Sequence, residues 1–276
     1  MMNVFASPEL RFTAALPNGQ RIVSCQASNR LLVTDAKGDV VSAEEADFRM
    51  PQGIAVSKER TEINCGVSLP YVSVYVVDRY NGCVKAFKKY TPDGAPLMYE
   101  RSFGEGLLNQ PVGIALDHER DELYVADNEN HRVAVFGAAS GEFIRALGRG
   151  YGQEPGQLFC PCGVALYKGL VLVAEWGNGR LHVFRDDKPY IAIGGMPHAH
   201  DVAVNDKGEA FLALYSHKAV QRFRITFSDD GAPCFEIVLE RVALEHNPTS
   251  LFFDGDGGLG VVTSARLVRN VVVSSP

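Results

Sequence analysis

Nowhere does this chain approach the ~18 consecutive apolar residues that a membrane-spanning helix requires, so no such helix is expected. Its first residues, MMNVFASPELRFTAAL, lack the basic opening of a secretory signal, and Glu9 and Arg11 interrupt the apolar positions. A soluble, cytoplasmic protein with reduced thiols is the expectation. The six cysteines are Cys25, Cys65, Cys83, Cys160, Cys162 and Cys234; without an oxidising compartment their even number does not argue for disulfides. Positive charge is also short. Against 27 Lys+Arg stand 33 Asp+Glu, a net charge of −6, whereas a nucleic-acid surface needs a cationic surplus to neutralise phosphates. Helical patterning of useful length is missing throughout. The glycine-rich GRGYGQEPG (Gly148 to Gly156) precedes a strand and not a helix, so it lacks the helix N-terminus of a phosphate cradle. No Ser–His–Asp order can be picked out.

What is present is a repeat. One phrase reads Pro, any residue, Gly, then an apolar run: PQGIAV at Pro51, PVGIAL at Pro111 and PCGVAL at Pro161, with weaker copies AHDVAV at Ala199 and PTSLFF at Pro248, and PNGQRIV at Pro17 the faintest. A second phrase follows each copy: YVVDRYNGCVKAF (Tyr75 to Phe87), YVADNENHRVAVF (Tyr124 to Phe136), LVAEWGNGRLHVF (Leu172 to Phe184) and FLALYSHKAVQRF (Phe211 to Phe223), with shortened versions from Leu32 and Val261. Asp35, Asp78, Asp127, Glu175, Leu214 and Ser264 hold one common position, roughly 40 to 50 residues apart, the size of a propeller blade repeat.

Each unit reads as strands. GIAL suits a strand buried on both faces. YVAD and RVAVF alternate around Asn- and Gly-rich tips, a strand–turn–strand signal. A further turn and strand follow, as in GAASG then EFIRALG. One four-stranded antiparallel sheet cannot bury both faces and exposes two edges. Stacking such sheets around an axis solves both problems. The expected fold is therefore all-β: one six-bladed β-propeller domain over residues 1–276, with blades at 17–50, 51–110, 111–160, 161–198, 199–247 and 248–276. The last repeat has room for three strands, and ELRFTAAL (Glu9 to Leu16) resembles EFIRALG. Residues 9–16 are therefore expected to complete the sixth blade and close the ring.

Together the two phrases resemble the NHL repeat, whose signature Asn130 and His131 match in DNENHRVAVF. The resemblance spans roughly residues 9–273 and is strongest over 111–136. It implies the propeller fold and leaves function open, because propellers of this kind serve as protein scaffolds, RNA binders, sensors and enzymes.

The meander places the Pro-x-Gly phrase and the hairpin tip on one face. The x positions Gln52, Val112, Cys162, His200 and Thr249 should ring the central channel, with Arg79, Tyr80, Glu129, His131, Trp176, Tyr215, His217 and Lys218 further out. Aromatic and cationic residues on exposed loops suit a binding surface. MPHAHDVAV, with His200 and Asp201, is similar to a segment of the peptidyl-α-hydroxyglycine amidating lyases, which that resemblance credits with three zinc-binding histidines at such x positions. Only His200 carries over; Gln52, Val112, Cys162 and Thr249 occupy the others. A catalytic zinc needs three protein ligands, and Cys162, His198 and His200 are the candidates. Those lyases are secreted and disulfide-bonded, whereas this chain is expected to lack a secretory signal. Cys160 and Cys162, two apart in extended chain, should point to one side, more as small buried hydrophobes than as ligands. The recurring acids should serve the unit, accepting turn amides or pairing with Arg132 and Arg180.

The expected function is thus a non-enzymatic, monomeric module binding a protein or peptide partner through this face, with no catalytic residues, no cofactor and no membrane. A propeller enzyme, either a metal-dependent lyase or a lactonase-like hydrolase with zinc or calcium in the channel, is the alternative. An RNA-binding propeller comes second to it.

Overall fold

The computed structural model describes residues 10–44, 46–64, 67–90, 95–253, 258–264 and 267–268. Its strands fall into six antiparallel sheets, each threaded as a meander from the inside outward. The first holds β1 (Leu10–Ala15), β2 (Arg21–Cys25), β3 (Arg30–Thr34) and β4 (Val40–Glu44). The second holds β5 (Pro51–Val56), β6 (Arg60–Asn64), β7 (Val67–Asp78), β8 (Cys83–Tyr90) and β9 (Leu97–Phe103). Here the extra strand β6 pairs with the early half of the long β7. The third holds β10 (Ile114–Asp117), β11 (Glu122–Asp127), β12 (Arg132–Gly137) and β13 (Phe143–Leu147); the fourth, β14 (Pro161–Tyr167), β15 (Leu170–Glu175), β16 (Arg180–Arg185) and β17 (Lys188–Ile193). The fifth holds β18 (Ala199–Val204), β19 (Glu209–Leu214), β20 (Ala219–Phe227) and β21 (Pro233–Ala243), and the sixth β22 (Pro248–Phe253), β23 (Leu259–Thr263) and β24 (Leu267–Val268). No helix among the described residues is long and apolar enough to cross a membrane.

The period-two alternation of each strand divides its side chains between two neighbouring cores. In β7, Val72, Val74 and Val76 pack on Ile22, Leu31 and Val33 of the first sheet. The intervening Tyr75 and Val77 face Ile114, Leu123 and Phe136 of the third. The pattern continues between the third and fourth sheets, the fourth and fifth, and the fifth and sixth. Leu10, Val23 and Leu32 of the first sheet meet Phe252 and Val262 of the sixth, so the sheets form a closed ring. The chain is a β-propeller.

The Pro-x-Gly phrase has a steric cause at the hub. Gly53 N–H donates to the Val112 carbonyl at 3.0 Å, and Gly113 N–H to the Cys162 carbonyl at 2.8 Å. A Cβ on Gly113 would sit 2.5 Å from that carbonyl oxygen, closer than any side chain tolerates. Glycine therefore lets adjacent inner strands hydrogen-bond across the gap between sheets.

The ring does not close in the expected way. Residues 10–15 do not complete the last blade: β1 pairs with β2, in register Ala15↔Arg21 and Leu10↔Cys25, as the innermost strand of the first sheet. The cause is the Pro17–Asn18–Gly19 segment, which is not a Pro-x-Gly strand start. It is a hairpin turn, with Gly19 N–H donating to the Leu16 carbonyl at 3.1 Å and Gly19 at φ +79°. The first blade thus begins at β1, before residue 17. Among the described residues the first and sixth sheets share no strand, and residues 269–276, where a fourth strand of the sixth sheet was expected, lie outside them. The same shift moves the repeat positions. Cys25 and Thr263, which pair with the strand-one starts Leu10 and Pro248, take the places assigned to Asp35 and Ser264. Asp35 lies instead in the β3–β4 turn, accepting the Lys37 and Asp39 amides at 2.9 Å.

Candidate functional site: the mouth of the central channel

Three hairpin tips share one construction. Asp78, Asp127 and Glu175 end their second strands fully buried. Each accepts a backbone N–H from the loop entering its own sheet: Arg49 to Asp78 at 2.8 Å, Asn109 to Asp127 at 2.7 Å, Phe159 to Glu175 at 2.9 Å. Each also accepts the amide of an Asn three residues on, namely Asn81, Asn130 and Asn178, and pairs with a cation, Lys85, Arg132 or Arg180, at 2.9, 2.8 and 2.6 Å. The acid thus ties hairpin tip to strand start, which fixes both on one face. The Asn of this unit, Asn130 in the best-matching copy, is held as a brace and not offered to a ligand.

The x positions then converge at the hub, with Arg11 as a sixth that the misplaced first strand concealed. Gln52, Val112, Cys162 and Thr249 are buried, while Arg11 and His200 are half-buried. Phe12, Val112 and Cys162 pack together as a central apolar plug, with Trp176 against them. Thr249 is sealed in, its hydroxyl 3.1 Å from the Val262 carbonyl. Above the plug opens a cavity of about 210 Å³ lined by Arg11, Gln26, Met50, Gln52, Arg79, Trp176, His200 and Tyr215. Its aromatic wall is continuous: Trp176 lies 4.6 Å from His198 and 5.4 Å from Tyr215 between ring centroids, and His200 stacks on Tyr215 at 5.8 Å.

Its electrostatics are unusual for a chain with net charge −6. Arg79 donates to Gln110 at 3.0 Å and Arg11 to Gln26, both uncharged acceptors, and neither guanidinium has a carboxylate within ion-pair distance among the described residues. Burial holds the Arg11 pKa below its ordinary value, and the Arg79 charge lowers it further against an opposing effect of Tyr215. Loss of solvent, followed by the Arg11 charge, pushes His200 down to about 4, so its imidazole is neutral at pH 7. The Gln52 Nε2, the Arg79 Nε and the His200 Nδ1 are buried without a hydrogen-bond partner.

The remaining predicted residues scatter. His131 accepts the Cys160 N–H at 3.3 Å and packs on Tyr151 and Phe159 at 5.2 and 5.7 Å, bracing a neighbouring loop. Tyr80, His217 and Lys218 are exposed rim residues outside the cavity, and Glu129 lies on the tip of the third sheet. A metal-ligand set does not form from Cys162, His198 and His200. The Cys162 thiol is pushed up to about 12 by burial and receives the Asn128 amide at 3.4 Å, while His198 engages Ser216 through Nδ1. Among the described residues no three His, Cys, Asp or Glu side chains gather to hold an ion. Cys160 and Cys162 also do not share a side of one strand, because Cys160 precedes β14 at φ +48°.

Residues 108–136 match the family model for the NHL repeat. Among solved structures, the fold is similar to a catalytically inactive virginiamycin B lyase from Staphylococcus aureus with quinupristin (12% identity, TM-score 0.62, covering 95% of this chain and 79% of that one). It is also similar to a chain of a nidogen–laminin complex (15%, TM-score 0.60, covering 78% and 75%) and to a streptogramin B lyase (9%, TM-score 0.54, covering 95% and 93%). At such identities the likeness speaks for fold and not for activity. Repeat, hub and blade construction agree: the chain is a β-propeller that carries an NHL repeat at residues 108–136.

Proposed function

We propose that this propeller is a non-enzymatic binding module that takes a protein or peptide partner on the face carrying the strand-one loops and hairpin tips. The observation that carries the reading is the aromatic wall of Trp176, His198, His200 and Tyr215 beside a half-open cavity on that face. Tyr and Trp give large contact area at low entropic cost and dominate interface energetics. At about 210 Å³ the cavity is smaller than the ~300 Å³ at which small-molecule sites begin, and it suits one side chain of a larger partner. A similar chain occurs in a nidogen–laminin complex, which is consistent with a propeller meeting a protein.

Selection of a displayed peptide library on the immobilised full chain tests this. Enriched peptides should bind the parent protein and lose at least tenfold in affinity to Trp176→Ala and to Tyr215→Ala variants that melt normally. Enrichment that both variants retain would place the partner on another face.

A further inference from the structure

We infer that the channel mouth is an anion pocket whose occupant is a peptide carboxylate, an Asp or Glu side chain of the partner, held between the Arg11 and Arg79 guanidiniums and the Gln52 amide. The inference rests on the binding function proposed above and names the chemistry recognised.

Three independent observations converge on it. First, two guanidiniums line one small cavity, and each has spent donors only on an uncharged glutamine oxygen. Like charges brought together out of water cost free energy unless a counter-charge joins them. The hairpin-tip arginines Arg132 and Arg180 each pair with a buried carboxylate; Arg11 and Arg79 have none among the described residues. Second, Gln52 is only 3% exposed, lines the same cavity and leaves its Nε2 unpartnered. A buried donor without an acceptor is rare and expensive, and an incoming oxygen would satisfy it. The Arg79 Nε is likewise buried and unpartnered, and a guanidinium is the group that binds a carboxylate in two parallel hydrogen bonds. Third, the buried acids beside the cavity residues are committed elsewhere, Asp78 to Lys85 and the Arg49 N–H and Asp201 to the sixth sheet. Asp201 faces the sixth sheet, accepting the Leu251 N–H at 2.9 Å and the Val202 N–H at 2.9 Å.

At about 210 Å³ the cavity admits an acidic side chain. The wall of Trp176 and Tyr215 would receive the partner's neighbouring aromatic or aliphatic residue.

Trp176 is the single tryptophan of the chain, so intrinsic fluorescence reports the pocket directly. The full chain would be titrated with N-acetyl-glutamyl-tyrosine amide, with its glutaminyl counterpart, and with inorganic phosphate at matched ionic strength. The expected result is a saturable emission change for the glutamyl peptide, at least tenfold weaker binding of the glutaminyl peptide, and a similar weakening of the glutamyl peptide by Arg79→Gln and Arg11→Gln. Equal binding of the two peptides, no response, or phosphate binding more tightly than the glutamyl peptide would each overturn the inference. Should a variant melt early, the peptide pair on the parent protein still decides. Display-selected peptides that depend on Trp176 but tolerate removal of their acids would leave the binding function standing and remove only the anion.

Discussion

The guanidinium of Arg21, in the first sheet, lies 4.0 Å above the ring of Phe252, in the sixth. This contact sits in the seam where the propeller closes. Around it Leu10, Val23, Cys25 and Leu32 pack on Phe252 and Val262, and the Thr249 hydroxyl lies 3.5 Å from the Arg11 carbonyl. Side-chain packing thus joins the first and sixth sheets at this seam. Phe252→Ala should therefore cost about 3–5 kcal/mol, the usual range for a buried Phe, and lower the melting temperature by roughly 6–20 °C in a domain of this size. Calorimetry checks it. A loss no larger than that of a half-exposed phenylalanine such as Phe143 would mean that something other than this seam holds the ring.

The buried acids make a second test. Glu175 gathers the Phe159 N–H, the Asn178 amide, Arg180 and, at 3.0 Å, His182. Glu175→Ala strands a buried cation and three donors, and should cost about 3–5 kcal/mol, as the breaking of buried pairs does. Asp35, which the repeat phrase aligned with Glu175, accepts only two amides of an outer turn. Asp35→Ala should cost about 1 kcal/mol. Equal losses in denaturant titrations would restore the alignment of the two acids.

That contrast shows what the repeat could and could not convey. Where Pro-x-Gly, a terminal acid and an Asn-rich tip coincide, in the second to fourth blades, strands and tips fall where the phrases put them, because each of those residues has a steric or hydrogen-bonding task within its own unit. In the first blade none survives. Leu10–Arg11–Phe12 replaces Pro-x-Gly, Phe12 fills the hub where glycine stands in the second to fourth blades, and Cys25 replaces the acid. The chain there announces itself differently, by an Asn-Gly turn between two alternating apolar runs, the strongest short hairpin signal. Taking Pro17–Gly19 as a strand start misplaced β1 and so hid Arg11, the residue on which the charge of the cavity turns. The orphaned Gln52 amide was beyond reach from sequence, since it depends on what five other sheets fail to supply.

The hub glycines give a third expectation. Gly113→Ala drives a methyl against the Cys162 carbonyl at 2.5 Å and the Gly163 Cα at 3.0 Å, both backbone atoms of the next inner strand, which cannot move aside without breaking the hydrogen bond it receives. About 1–3 kcal/mol of overpacking strain is expected. At Gly194 a methyl meets nothing within 4 Å, and Gly194→Ala should change stability by less than about 0.5 kcal/mol. Thermal melts of the pair check the steric account, and matching melts would contradict it.

The neighbours His200 and Asp201 titrate in opposite senses across one pH window. Burial raises Asp201 from 3.8 to about 7, against the hydrogen bonds it accepts from Leu251, Ser250 and Val202. Between those values the folded state keeps a proton that the unfolded state has released, so this group's contribution is complete below about pH 4 and is lost as pH rises towards 7. His200 is lowered from 6.5 to about 4. Between those values the unfolded state holds the extra proton, so this contribution is complete above pH 6.5 and is lost as pH falls towards 4. In the parent protein the two slopes oppose each other. Asp201→Asn should leave the histidine slope uncovered, with stability relative to the parent rising with pH between 4 and 7. His200→Gln should do the reverse, its relative stability falling over the same range. Denaturant unfolding at half-unit steps through this window reads both differences, in which the titration of distant groups cancels. If the Asp201→Asn and parent curves run parallel, Asp201 is ionised in the folded protein and the amides of Leu251 and Val202 outweigh its burial.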